Sequence, residues 1–197
     1  MIANLLQPGV ATYIFILVTL LWWVEFIIFR NQSAETEEKD TQGRRSFYLI
    51  LAATVFPLVI SLTLYFLDIG NLSSSAALVF RNAGVAIYVM GISIRYWSLI
   101  MLGRHFSRNI EVQEQQPLVS NGPYRLIRHP AYTGLLLLNT GLHFFIGNLP
   151  GIIIAIISIS TALHIRIIEE ERSMAQILGE RYCNWNSRRK RLFPWVY

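Results

Sequence analysis

Gly122-Pro-Tyr-Arg-Leu-Ile-Arg-His-Pro-Ala-Tyr-Thr-Gly134 packs two arginines, a histidine, two tyrosines and two prolines between hydrophobic runs. A second polar knot, Arg166-Ile-Ile-Glu-Glu-Glu171, follows an almost uncharged apolar stretch. An apolar hairpin between them brings the two knots back to one surface of a bilayer, whose hydrocarbon core is about 30 Å thick. The pair therefore reads as a site at a membrane–water boundary.

The rest of the chain agrees with a membrane setting. Its 197 residues are 53% hydrophobic and only 15% charged, against about a quarter charged in an ordinary soluble domain. The mean hydropathy is +0.42. No basic segment precedes the first apolar run, so that run reads as a retained span rather than a cleavable signal. Cys183 is the only cysteine, which excludes an intrachain disulfide and a cysteine zinc cluster. It reads as a bystander in the tail. No Gly-rich phosphate turn or P-loop is present, so a soluble nucleotide fold is not expected.

Five apolar segments stand out: Val10 to Phe29, Phe47 to Leu67, Ala76 to Leu102, and two within Tyr132 to Ile168 divided by Gly147-Asn-Leu-Pro150. The first three reach the roughly 20 residues a crossing needs, whereas the last two run to about 15 to 18 each. In lipid the backbone must satisfy its own hydrogen bonds, so all five should be helical. The Gly147-to-Pro150 step is turn chemistry, with Pro150 suited to the first turn of the next helix.

The charges alternate along these segments. Arg30, Lys39, Arg44 and Arg45 fall in the first connection; Arg104, Arg108, Arg125 and Arg128 in the third; Arg172, Arg181, Arg188, Arg189, Lys190 and Arg191 in the tail. The second and fourth connections hold no Lys or Arg, and only Arg81 sits near that side. The positive-inside rule then predicts an integral membrane protein with five transmembrane helices, N-terminus out and C-terminus cytoplasmic. Both polar knots fall on the cytoplasmic side. Asn31 to Gly43 mixes four acids with polar residues and reads as a mobile loop. The basic tail reads as meeting anionic headgroups of the lipid bilayer, not nucleic acid.

Arg166 and Glu170 lie four apart, on one helical face, flanked by Glu169 and Glu171. From spacing alone, two readings stand level: an ion pair ending the last span, or charges lining a cavity. His129 before Pro130 likewise reads either as an interfacial cap or as part of a site. Arg128-His129 beside Tyr124 and Tyr132 gathers donors, a cation and aromatic faces. Such a set suits an anionic, planar or cationic cofactor better than it suits lipid.

The C-terminal half resembles the isoprenylcysteine carboxyl methyltransferase family of membrane methyltransferases, with phospholipid methyltransferases as more distant relatives. The residues that carry the resemblance are Leu102-Gly103, Phe106-Ser107, Leu118-Val119, Gly122-Pro123-Tyr124, Arg128 to Gly134, Arg166, Glu170-Glu171, Gly179, Tyr182 and Leu192-Phe193-Pro194. It covers about Leu102 to Tyr197. The division expected is therefore residues 1–101 as N-terminal transmembrane helices and 102–197 as a cofactor-binding and catalytic module, with a C-terminal helical hairpin and a cytoplasmic cofactor-binding tail.

The resemblance implies S-adenosylmethionine as methyl donor, with S-adenosylhomocysteine as product, bound outside any Rossmann fold. It implies a lipophilic acceptor arriving from the bilayer, and no metal. Gln116, Leu118, Val119, Gly122 and Tyr124 are the expected cofactor wrap, with Gln116 standing where relatives often carry His. Arg128, His129, Tyr132 and Gly134 are expected to line the cofactor's amino-acid or adenine end, with Tyr182 and Glu170 also in contact. Arg166, Glu170 and Glu171 are expected nearest the reacting centre. Trp185 replaces a tyrosine common in relatives.

Three classes of function follow. The leading one is carboxyl O-methylation of a C-terminal isoprenylcysteine; N- or S-methylation of a phospholipid or small apolar molecule is the alternative within enzymes. An NADPH-dependent sterol-reductase-like enzyme has a related C-terminal module but is typically longer. A catalytically silent membrane scaffold is the third class.

Overall fold

A computed structural model of the chain describes residues 9–28, 41–103, 117–187 and 189–194. Within them the fold is all-helical. Five long helices, α1 (Val10–Ile28), α2 (Thr41–Phe66), α3 (Ser74–Leu102), α4 (Pro130–Ile146) and α5 (Leu149–Leu178), are followed by a short α6 (Glu180–Asn186). A 3-10 turn, Gly122–Arg125, precedes α4. Arg45–Phe66, Ser74–Leu102 and Leu149–Leu178 are long and apolar enough to cross a membrane. The protein is an integral membrane protein on that ground. Large apolar side chains on α2, including Phe56 and Val59, point outward as they should in lipid.

Two boundaries differ from the sequence reading. Of the stretch Asn31 to Gly43, Thr41 to Gly43 already belong to α2, and residues 31–40 lie outside the described residues. α5 is not a short arm. It has 30 residues, about 45 Å of helix, and carries the second polar knot within it. Arg and Glu are good helix formers, and no breaker occurs before Gly179, where φ is +53° and an L side chain would be strained.

α3 and α4 pack backbone to backbone through four glycines. A Cβ at Gly84 would lie 2.8 Å from Gly141 O, and one at Gly91 would lie 2.9 Å from Gly134 O; the reverse contacts are 2.7 Å and 2.8 Å. The seven-residue spacing on each helix puts each pair on one seam, two turns apart. α1 closes over this pair: Phe15 stacks on Phe145 with centroids 4.1 Å apart, and Val18 packs with Tyr88, Ile92 and Leu138. α5 buries Ile159 and Leu163 against Leu135 of α4, with Ile50 of α2 alongside.

The two ends of the bundle are tied differently. At one end Asn148 caps α5, its Oδ1 accepting from Gly151 N at 3.0 Å, while its Nδ2 donates to Ile69 O at 2.8 Å and Asn71 Oδ1 at 2.9 Å. That joins the α2–α3 and α4–α5 turns. At the other end the tail runs back under α4. Arg128 N donates to Lys190 O at 2.8 Å and His129 N to Arg191 O at 3.0 Å. Thr133 Oγ1 donates to Leu192 O at 2.8 Å. This second end carries the polar knots.

Candidate functional site

Pro130 at the first turn of α4 leaves His129 as its N-cap, a position where the missing N–H costs nothing. His129 is thereby fixed by backbone bonds on both sides: its carbonyl accepts from Tyr132 N at 3.0 Å and Thr133 N at 3.1 Å. Its ring is buried and stacks on Tyr132, centroids 5.6 Å apart. His129 Nε2 lies 3.2 Å from Glu171 Oε1. A carboxylate can only accept, so Nε2 carries the proton here.

Glu171 is the hub of the cluster. Its Oε1 also meets Arg128 Nη1 at 2.8 Å, and its Oε2 accepts from Arg191 Nε at 3.0 Å and Nη2 at 2.9 Å. Both oxygens are engaged, and the carboxylate is buried. Removing one partner from such a buried set costs about 3–5 kcal/mol, because the rest of the charge is left uncompensated. Arg128 also donates to Asn186 Oδ1, tying α6 to the start of α4.

One turn along, a second chain of bonds runs through Tyr132. Its hydroxyl accepts from Arg166 Nε at 3.1 Å and donates to Glu170 Oε2 at 2.6 Å. Arg166 is 3% exposed although it is a full cation. Glu170 keeps 21% of its side chain exposed and lies 4.0 Å from His129 Nδ1. The two polar knots thus meet, as the hairpin reading requires. Arg166, Glu170, Glu171, Arg128, His129 and Tyr132 form one network.

The approach segment closes one side. Leu118 and Val119 are partly buried, and Tyr124 is fully so. Burial pushes the Tyr124 phenol pKa up, and the nearby Glu170 and Tyr132 charges add to this while Arg95 opposes it. Gly122 has φ +57°, and a Cβ there would lie 3.1 Å from Trp97 Nε1 and 3.2 Å from Met101 Cγ. Glycine is therefore what lets this turn dock on α3. Arg189 donates to Tyr124 O at 2.8 Å and lies over the Trp185 ring at 4.7 Å. Trp185 Nε1 in turn donates to Ser120 Oγ at 2.9 Å.

Arg128 Nε is buried with no hydrogen-bond partner among the described residues, and the Tyr182 hydroxyl is buried beside Arg128. Burial raises the Tyr182 pKa, with Glu171 adding to the rise and the Arg128 charge countering it. Gly134 packs on Arg95 and Gly91 of α3. Gln116 lies outside the described residues. Arg191 and Asn186, which join the network from the tail, were not singled out by spacing. The only sequence signal for them is their proximity to the Leu192-Phe193-Pro194 motif.

The sequence pattern of phospholipid methyltransferases matches residues 79–181, just over half of the chain and the region that holds both knots. The chain belongs to the phospholipid methyltransferase family. Among its relatives, protein-S-isoprenylcysteine O-methyltransferase B of Arabidopsis thaliana is 28% identical over 117 residues, 58% of this chain and 59% of that protein. Protein-S-isoprenylcysteine O-methyltransferase A of the same plant is 30% identical over 106 residues, 53% of this chain and 54% of that protein. The chain thus spans little more than half the length of these relatives. The solved eukaryotic intramembrane Ras methyltransferase, an isoprenylcysteine carboxyl methyltransferase, superposes with a TM-score of 0.68 at 17% identity, over 91% of this chain and 64% of that one. This phospholipid methyltransferase family member therefore shares the fold of the isoprenylcysteine enzyme, and the resemblance read from the sequence holds.

Proposed function

We propose that the protein transfers a methyl group from S-adenosylmethionine to the carboxylate of a C-terminal isoprenylcysteine or a closely similar lipophilic acceptor. The observation that carries this is the buried Arg166–Tyr132–Glu170 chain beside the Arg128–His129–Glu171 cluster. The names of the plant relatives support the acceptor class. The buried Arg128 Nε, unpaired among the described residues, supports a bound polar ligand, because buried polar groups in native structures are rarely left unpaired.

The donor's carboxylate and amino group suit Arg128, His129 and Tyr182, and its adenosine suits Leu118, Val119, Gly122 and Tyr124, with Gln116 at the edge of this wrap. Bound there, S-adenosylmethionine supplies an electrophilic methyl on a sulfonium and leaves as S-adenosylhomocysteine. The chain's own task is positioning, which in the best-aligned systems supplies about 7–11 kcal/mol of rate acceleration. A carboxylate is already a nucleophile and needs no strong base. It needs a cation to draw it from water, and the planar guanidinium of Arg166 can grip it bidentately. Glu170 orients Arg166 through Tyr132 and balances its charge. Glu171, with both oxygens engaged, fits a positioning role, holding Arg128 and His129 in place. Gly134 fits the α3–α4 contact better than the pocket wall.

In this reading the chain crosses the bilayer five times, with the network and the tail on the cytoplasmic side. Arg45, Arg125, Arg128, Arg172 and the described tail cations Arg189, Lys190 and Arg191 stand at the network's end of the bundle, and among the described residues the Asn71–Asn148 end has Arg81 near it. The partly exposed Glu170 carboxylate favours a second reading, as general base for an amine or thiol acceptor.

Calorimetry tests the donor site. His129→Ala should weaken binding of S-adenosylmethionine or S-adenosylhomocysteine at least about tenfold, about 1.4 kcal/mol. Unchanged affinity in folded protein would remove His129 from the pocket.

A further inference from the structure

The N-terminal half of the chain reaches the site through Ser46. This residue lies on the second turn of α2, is 2% exposed, and donates from its hydroxyl to Glu169 Oε2. Glu169 stands three residues after Arg166 and next to Glu170, so Arg166 lies in the field of two carboxylates on its own helix. One of them, Glu170, is engaged by the Tyr132 hydroxyl. The other is engaged from across the bundle by Ser46. Both carboxylates are thus held by hydroxyl donors from neighbouring helices, 86 residues apart in sequence by the difference of Ser46 and Tyr132.

We propose that Ser46 is a positioning residue that holds the Glu169 carboxylate to one side, so that Glu169 does not compete with the acceptor carboxylate for the Arg166 guanidinium. The inference rests on the role given to Arg166 above. A carboxylate on the same helix has a far higher effective concentration than a diffusing acceptor, so a released Glu169 acts as a built-in competitor. Ser46 thereby sets acceptor affinity without touching donor or acceptor. It also gives α2 a part in the site that its generic apolar sequence does not suggest.

The test is a steady-state comparison with N-acetyl-S-farnesylcysteine as acceptor and labelled S-adenosylmethionine as donor. Ser46→Ala should raise the acceptor KM about tenfold while kcat and donor affinity stay within about twofold. Ser46→Thr, which keeps the hydroxyl, should behave like the parent. Ser46→Ala with Glu169→Gln should recover most of the lost affinity, because a neutral amide is a poor competitor for a guanidinium. A packing defect alone is not rescued by changing Glu169. An unchanged KM in folded Ser46→Ala, or no recovery in the double variant, overturns the proposal. Arg166→Lys is measured alongside: if it leaves KM and turnover normal, the reading of Arg166 fails, whereas a deficient Arg166→Lys with a normal Ser46→Ala overturns the Ser46 proposal alone.

Discussion

The Tyr132 hydroxyl donates a 2.6 Å hydrogen bond to Glu170, and the same oxygen accepts from Arg166. Tyr132 belongs to the first turn of α4, and Arg166 and Glu170 to the second half of α5. One phenol therefore registers two helices at the proposed reacting centre. Tyr132→Phe keeps the ring stacked on His129 and removes only this link. Turnover should fall at least about tenfold, about 1.4 kcal/mol in the barrier, while donor affinity measured by calorimetry changes little. Near-normal turnover in the folded variant would mean that Tyr132 does not orient Arg166.

The glycine seam between α3 and α4 makes a stability prediction. A Cβ at Gly91 would lie 2.7 Å from Leu138 N, and one at Gly134 would lie 2.8 Å from Gly91 O and 2.9 Å from Arg95 N. Backbone atoms cannot move aside as a flexible side chain can. Gly91→Ala and Gly134→Ala should each cost about 1–3 kcal/mol through overpacking, read as a lower thermal midpoint in detergent. Gly134→Ala should also disturb activity, since Arg95 holds Ala131 O at 3.2 Å at the start of α4. Unaltered midpoints in both variants would contradict so close an approach.

Much of this was legible in the chain itself, and what was not has physical causes. The polar knots could be read because each is contiguous, and because an apolar hairpin leaves few ways to arrange its two ends. The seam could not be read in the same way. A glycine inside a helix signals weakness locally, and only its partner on another helix turns it into a contact. The length of α5 was missed because hydropathy falls at Arg166, whereas helix propensity does not. Arg191, Asn186 and Ser46 were missed because each meets the network across a long stretch of chain. Spacing rules see only neighbours on the same helix.

The orientation is testable with single cysteines in a Cys183-free background. The network end of the bundle gathers the arginines, and the Gly147–Asn148 turn lies at the opposite end. An impermeant thiol reagent applied to intact cells should label residue 149, which is exposed in the same turn, and spare residues 121 and 197. Labelling of residue 121 from outside would invert the arrangement and move the network out of the cytoplasm.

The most direct measurement follows labelled methyl from S-adenosylmethionine onto an acceptor panel of prenylcysteine, phospholipid and thiol, and then treats the products with alkali. A methyl ester is hydrolysed by base and releases volatile methanol, whereas N-methyl and thioether methyl groups stay attached. Carboxyl methylation puts label on the prenylcysteine, released by alkali, at a rate flat between about pH 6 and 8 because an α-carboxyl titrates near 3.5. Alkali-stable label on the phospholipid or thiol, at a rate rising with pH, would contradict it and give Glu170 the part of a general base.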